Sequence, residues 1–230
     1  GHRFDIKQEC VAKSAFWVTK KRYGQWIIND GGLPCDKLDV KGLDIVRSSF
    51  PPAMRELMTQ VLKDILGNVD KDEIDEKILK FKKDMKTSDI LDISLPTGVK
   101  NLGKFADKRR VGKLYGKGSI FTPMHKGTPV HVKAAWIYND LLKHHGLNNV
   151  EKIKNSEKIK WIYLKDNPLN VKQIAFKGYD DPPQIMDFIK ENIDYDKLFQ
   201  RALLKKITMF YESLNWDMPV DKINTLERFF

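Results

Sequence analysis

Ala15-Phe16-Trp17-Val18-Thr19-Lys20-Lys21-Arg22-Tyr23-Gly24-Gln25-Trp26-Ile27-Ile28 sets two apolar, aromatic-rich runs on either side of three adjacent cations and a tyrosine. Each run has the length and the β-branched or aromatic content of a strand. A tight connection between them predicts a hairpin that lifts Lys20–Tyr23 out of the sheet. Three positive charges followed by an aromatic suit a phosphate backbone with a sugar or base edge beside it. A solvated turn is the ordinary fate of such a charge run, and on these residues alone that reading comes first. The residues further out reverse the order.

The 230 residues suffice for one large domain or two small ones. With 41% hydrophobic and 31% charged residues, the composition is that of a folded chain rather than a disordered one. The net charge of +10 favours polyanionic partners, nucleic acid before anionic membrane. Most of the excess lies between Thr97 and Ala135, where nine Lys/Arg face a single acid, Asp107. A duplex carries one charge per ~1.7 Å, so a focused basic stripe matches it. No run approaches ~18 uninterrupted apolar residues, which excludes a membrane-spanning helix, and no signal-peptide pattern is present. Cys10 and Cys35 make neither a disulfide framework nor a zinc site alone, in keeping with a reducing, cytosolic setting. The chain opens on Gly1-His2-Arg3-Phe4 without an initiator Met, and it reads as part of a longer protein.

Along the chain, Phe4–Lys13 is expected as a weak helix or irregular entry. The hairpin follows, and Asp30-Gly31-Gly32 is a turn signal. Lys37–Val46 reads as extended. Ser49 is a candidate cap for a helix with Pro51 and Pro52 in its first turn. Met54, Leu57, Met58, Val61, Leu62, Ile65 and Leu66 recur at helical spacing up to Gly67-Asn68. Asp70 with Glu73 resembles a capping box. It opens a second helix bearing Ile74, Ile78, Phe81 and Met85, antiparallel to the first. Ile90–Leu95 has the character of a short strand, broken by Pro96-Thr97-Gly98. The glycine-rich basic segment to Lys126 is expected as loop. Thr128-Pro129 opens a third helix with Val130, Ala134, Ile137 and Leu141 on one face. Lys158–Leu164 alternates like a half-buried strand that Val171–Phe176 can pair. Asp181-Pro182-Pro183 starts another helix, and Asp194–Leu214 forms the last.

Several chemistries are excluded. Gly112-Lys113-Leu114-Tyr115-Gly116-Lys117-Gly118-Ser119 has three residues between its first glycines, where a phosphate-binding loop needs four, and lacks the hydroxyl residue directly after its lysine. Its glycines instead let backbone amides approach phosphates. His125, His131, His144 and His145 lack metal-site spacing. Neither a nucleophile elbow nor a cysteine–histidine pair is present. The acidic run Asp70–Glu76 caps and solvates a helix. At the C-terminal end, Leu226, Phe229 and Phe230 space themselves as one apolar plug on a helical turn, suited to docking in a partner pocket.

Two segments carry a family resemblance. Phe16-Trp17-Val18-Thr19-Lys20-Lys21-Arg22-Tyr23 resembles the Lys-Lys-Arg-Tyr motif in the palm of family B DNA polymerases, which holds the primer strand near its growing end. Lys41-Gly42-Leu43-Asp44-Ile45-Val46-Arg47-Ser48-Ser49 resembles the Lys-Gly-Leu-Asp/Glu-x-Val-Arg segment leading from palm into thumb. His131-Val132-Lys133 and the closing helix are similar to the thumb of T-even-type bacteriophage replicative enzymes. The tail resembles the family's sliding-clamp peptide, with Ile223 in place of the usual leading Gln. The likeness covers essentially the whole chain, strongly to Ser49 and diffusely after it.

The resemblance implies an α+β fold: a small antiparallel palm remnant, the hairpin, over 1–49, a mostly helical thumb over 50–218, and a clamp-binding tail over 219–230. It implies that Lys20, Lys21, Arg22 and Tyr23 contact the primer strand. Lys100, Lys104, Lys108, Arg109, Arg110, Lys113 and Lys117 would track duplex phosphates, and Leu226, Phe229 and Phe230 would bind the clamp. The partners are then primer–template DNA, the sliding clamp and the rest of the polymerase (exonuclease, fingers and catalytic palm), in the cytoplasm of an infected bacterial host. The Asp-x-x-Ser-Leu-Tyr-Pro-like and Asp-Thr-Asp-Ser motifs that hold the family's two metal ions are not in this sequence. Magnesium is therefore expected in the full polymerase, no cofactor in this chain, and no catalytic residue here; the chain alone would be inactive. Two alternatives stay open: a stand-alone, non-enzymatic double-stranded nucleic-acid-binding protein, and the small subunit of a split polymerase.

Overall fold

A computed structural model describes residues 7–106, 120–122 and 124–219. In chain order, β1 (Cys10–Thr19), β2 (Arg22–Asp30) and β3 (Leu33–Lys41) lead through a 3-10 turn at Asp44–Val46 to α1 (Pro52–Leu66) and α2 (Lys71–Asp84). Then come α3 (Ile90–Ile93), β4 (Leu95–Gly98), a 3-10 turn at Leu102–Phe105, and α4 (Val130–His144). Next are β5 (Lys158–Tyr163), β6 (Gln173–Phe176), α5 (Pro183–Asn192) and α6 (Tyr195–Leu198). A π-helical stretch at Phe199–Leu204 joins α6 to α7 (Lys205–Ser213). The class is α+β, with two antiparallel three-stranded sheets ordered β1-β2-β3 and β4-β5-β6. The chain divides into two compact units, Gly1–Lys86 with Leu203–Phe230, and Thr87–Ala202.

In the first unit, strand alternation turns Phe16 inward and Trp17 outward, at 7% and 55% exposure. Phe16 meets Phe210 of α7 edge-on, ring centroids 5.5 Å apart. Helix α1 forms because Met54, Met58, Val61 and Leu62 recur on one stripe, and all four are buried. It lies close on the sheet: a Cβ placed at Gly24 of β2 would sit 2.8 Å from a Leu62 methyl. Asp64 pairs with Lys77 at 2.6 Å, while Ala53 and Glu56 share a groove with Phe81 and Asp84. Helices α1 and α2 are therefore antiparallel, as their short connection implies. Tyr211 of α7 is fully buried and donates to Asp75 of α2 at 2.6 Å.

In the second unit, α4 packs on β5 and β6, and its Val132, Ala135, Ile137, Tyr138 and Leu142 are all buried. Buried Asn139 donates to the Ile153 carbonyl at 2.9 Å and accepts from the Ile153 N–H at 2.7 Å. That pair secures an irregular segment whose backbone groups would otherwise be unsatisfied. Asp140 accepts from both the backbone N–H and the hydroxyl of Thr122, at 2.6 and 3.0 Å. Burial raises its carboxyl above the ordinary range, against those two bonds.

Local expectations fail at several points. Cys10–Lys13 is strand, because the hairpin's first arm begins earlier than its aromatic content indicates. The third strand starts at Leu33 and ends at Lys41, before the 3-10 turn. Pro51, not Ser49, occupies the cap of α1. Asp70 caps α2 without a side-chain bond, so no capping box forms. Ile90–Ile93 is one helical turn, started by Asp89, which accepts from the Leu91 N–H at 2.8 Å. The strand is Leu95–Gly98 instead, its Pro96 tolerated on an edge of the sheet. Val130 is exposed at the first turn of α4 rather than on its buried face.

Candidate nucleic-acid interface

The hairpin closes between Thr19 and Arg22, which are paired, leaving Lys20 and Lys21 as the turn. Both lysines are exposed. Lys21 adopts φ of +68°, a left-handed position where glycine or asparagine is the relaxed choice. The turn is held from below. Gly42 also has a φ of +68°, and a Cβ there would lie 2.1 Å from the Lys21 carbonyl oxygen. The Lys41-Gly42-Leu43-Asp44 segment therefore abuts the Lys20–Tyr23 turn backbone to backbone.

Alternation divides the four motif residues. Arg22 points to the helix side, its guanidinium donating to the Met209 sulfur of α7 at 3.4 Å. Tyr23 points to the open face, stacked on Trp17 with centroids 5.7 Å apart and planes 18° apart. Beneath the turn, Asp44 accepts from Arg47 at 3.1 Å and from Lys206 of α7 at 3.0 Å. That carboxylate neutralises part of the local charge but leaves Arg47 about half exposed. One end of the first unit thus presents Lys20, Lys21 and Arg22 with Lys41 and Arg47 beside them, all exposed. Lys41, Arg47 and Lys206 were not expected as site residues. The charged ends of the Lys41–Ser49 segment were the available signal.

Lys100 and Lys104 belong to the second unit and are exposed. Lys100 precedes Asn101, which takes a left-handed φ of 57°, and Lys104 lies in the 3-10 turn after it. Lys108, Arg109, Arg110, Lys113 and Lys117 lie outside the described residues, as do Leu226, Phe229 and Phe230. His131 is half-buried at the start of α4, and burial lowers its pKa below the ordinary 6.5.

Among the described residues no group of three or more His, Cys, Asp or Glu can hold a metal ion. A half-open cavity of about 520 Å³ lies between the end of α4 and α5, lined in part by Leu141, His144, His145, Ile185 and Phe188. Among the described residues its lining includes no serine, threonine or cysteine. Among the described residues no helix is long and apolar enough to cross a membrane.

No curated protein matches the chain. A family model does: that of DNA polymerase family B, over residues 2–214. The match takes in the Lys-Lys-Arg-Tyr turn, the Lys-Gly-Leu segment beneath it, the second unit and most of the first, and the chain belongs to DNA polymerase family B.

Proposed function

We propose that this chain is the primer-end grip and thumb of a replicative family B DNA polymerase of the T-even bacteriophage type, acting in the cytoplasm of an infected bacterium. Residues 1–49 serve as palm edge, 50–218 as thumb and 219–230 as the tail whose Leu226, Phe229 and Phe230 dock in a sliding clamp. Lys20, Lys21, Arg22 and Tyr23 hold the primer strand. Lys100 and Lys104, with Lys108, Arg109, Arg110, Lys113 and Lys117, follow the duplex phosphates. The magnesium-binding aspartates belong to the rest of the polymerase, and the chain alone grips DNA without extending it.

The observation that carries this reading is the contact of Gly42 with the Lys21 carbonyl. It holds a strained, doubly cationic turn in one place, which solvation of a surface turn does not require. The test is binding of the chain to a primed duplex over a range of salt. Replacing Lys20 and Lys21 by Gln should flatten the log–log slope by about 0.9 per lost phosphate contact. Replacing Lys108, Arg109 and Arg110 should flatten it similarly. An unchanged slope in both variants would sink the duplex grip.

A further inference from the structure

Three side chains stand in a row across the open face of the first sheet. Trp17, Tyr23 and Lys41 are direct cross-strand partners on β1, β2 and β3. Direct partners share a face, while their neighbours Phe16 and Gly24 turn to the helices. Tyr23 stacks on Trp17, yet Trp17 keeps 55% of its surface exposed. A tryptophan left this open forgoes much of the largest apolar transfer gain available to a side chain. Packing among the described residues therefore leaves this ring available. Lys20 and Lys21 form the β1–β2 turn beside the Trp17–Tyr23 pair, and both are exposed. Lys41 pairs with Asp39 at 3.2 Å, but its side chain stays 58% exposed.

An exposed tryptophan ring beside a half-buried tyrosine, bordered by lysines on an open sheet, matches the two chemistries of an unpaired nucleotide: a base that stacks and a phosphate that pairs with an ammonium. A duplex does not use the aromatic part, because its bases already stack on one another. We propose that the open face of the β1-β2-β3 sheet binds single-stranded nucleic acid, with an unpaired base stacked on Trp17 beside Tyr23 and the adjoining phosphates on Lys20 and Lys21. This site goes beyond the duplex grip. The two share Lys20, Lys21 and Tyr23, and Trp17 belongs to the single-strand site alone.

The test titrates the full chain with a single-stranded oligothymidylate, an abasic strand of equal length and a blunt duplex. Wild type should bind the thymidylate about tenfold more tightly than the abasic strand. Trp17→Ala should lose that factor on the thymidylate and change neither of the other affinities. Trp17→Phe, which keeps a ring, should retain most of it. Equal binding of both single strands by the wild type overturns the proposal, and that result requires no variant to fold. Equal weakening of all three ligands in Trp17→Ala also overturns it. So does a wild-type dimer that Trp17→Ala converts to monomer, because a second copy would then cover the face. Failure of the duplex grip would show as unchanged duplex salt slopes in the lysine variants. It would leave the thymidylate–abasic difference intact, so the two readings fail separately.

Discussion

A Cβ on Gly42 would lie 2.1 Å from the carbonyl oxygen of Lys21, far inside van der Waals contact. Both residues have a φ of +68°. One left-handed residue therefore supports another twenty-one positions away in sequence, and the two segments that resemble polymerase motifs meet in one backbone contact.

Gly42→Ala introduces both the clash and a strained dihedral. It should lower the stability of the chain by about 2–3 kcal/mol. Urea unfolding measures this, and a midpoint equal to that of the wild type would contradict the close contact.

Lys21→Gly tests the reverse trade. Glycine relieves a left-handed strain of roughly 1–2 kcal/mol, offset by about 0.5–1 kcal/mol of added chain entropy. The variant should be slightly more stable, by about 0.5–1 kcal/mol, while binding primed duplex more weakly. A variant that loses stability would show that the lysine side chain itself anchors the turn.

Lys177 offers a pH test in the second unit. Its side chain is 5% exposed and lies 2.9 Å from Glu157 and 3.4 Å from Glu151. Burial opposes its charge, but the bonds to Glu157 and Glu151 outweigh burial and raise its pKa above the ordinary 10.5. A lysine whose folded pKa is raised contributes stability in full below the unfolded value, and loses it as pH rises through the folded pKa. Lys177→Met should cost about 1–2 kcal/mol at pH 7, and its melting curve should approach that of the wild type as pH climbs beyond the ordinary lysine range. A gap unchanged at alkaline pH would refute the ion-pair account.

Tyr211→Phe removes a buried hydroxyl that donates to Asp75 at 2.6 Å. Asp75 keeps its ion pair with Lys71. The substitution should cost about 1–2 kcal/mol, read from chemical denaturation. A neutral result would mean that solvent replaces the lost donor.

Much of the architecture was legible because it rests on local periodicity. The apolar stripe from Met54 to Leu66 is long enough to specify α1, and the alternation around Trp161 specifies β5. The two-residue turn at Lys20-Lys21 follows from charge between two aromatic runs. Short elements were not legible. Ile90–Ile93 and Leu95–Gly98 each span four residues, too few to separate a helical from an extended pattern. Pairing with β5 decides β4, and the Asp89 cap decides α3.

The sequence by itself determined the chemistry on offer: a concentrated positive charge, a cationic turn between aromatic runs, and a resemblance to one polymerase family. Tertiary structure alone decided how that turn is presented. Strand alternation sends Arg22 towards Met209 and Tyr23 onto Trp17, so four consecutive residues serve two faces. The support from Gly42 was also invisible in the sequence, because a glycine needed for close approach reads the same as one needed only for a turn. The difference lies in the atoms that fold against it.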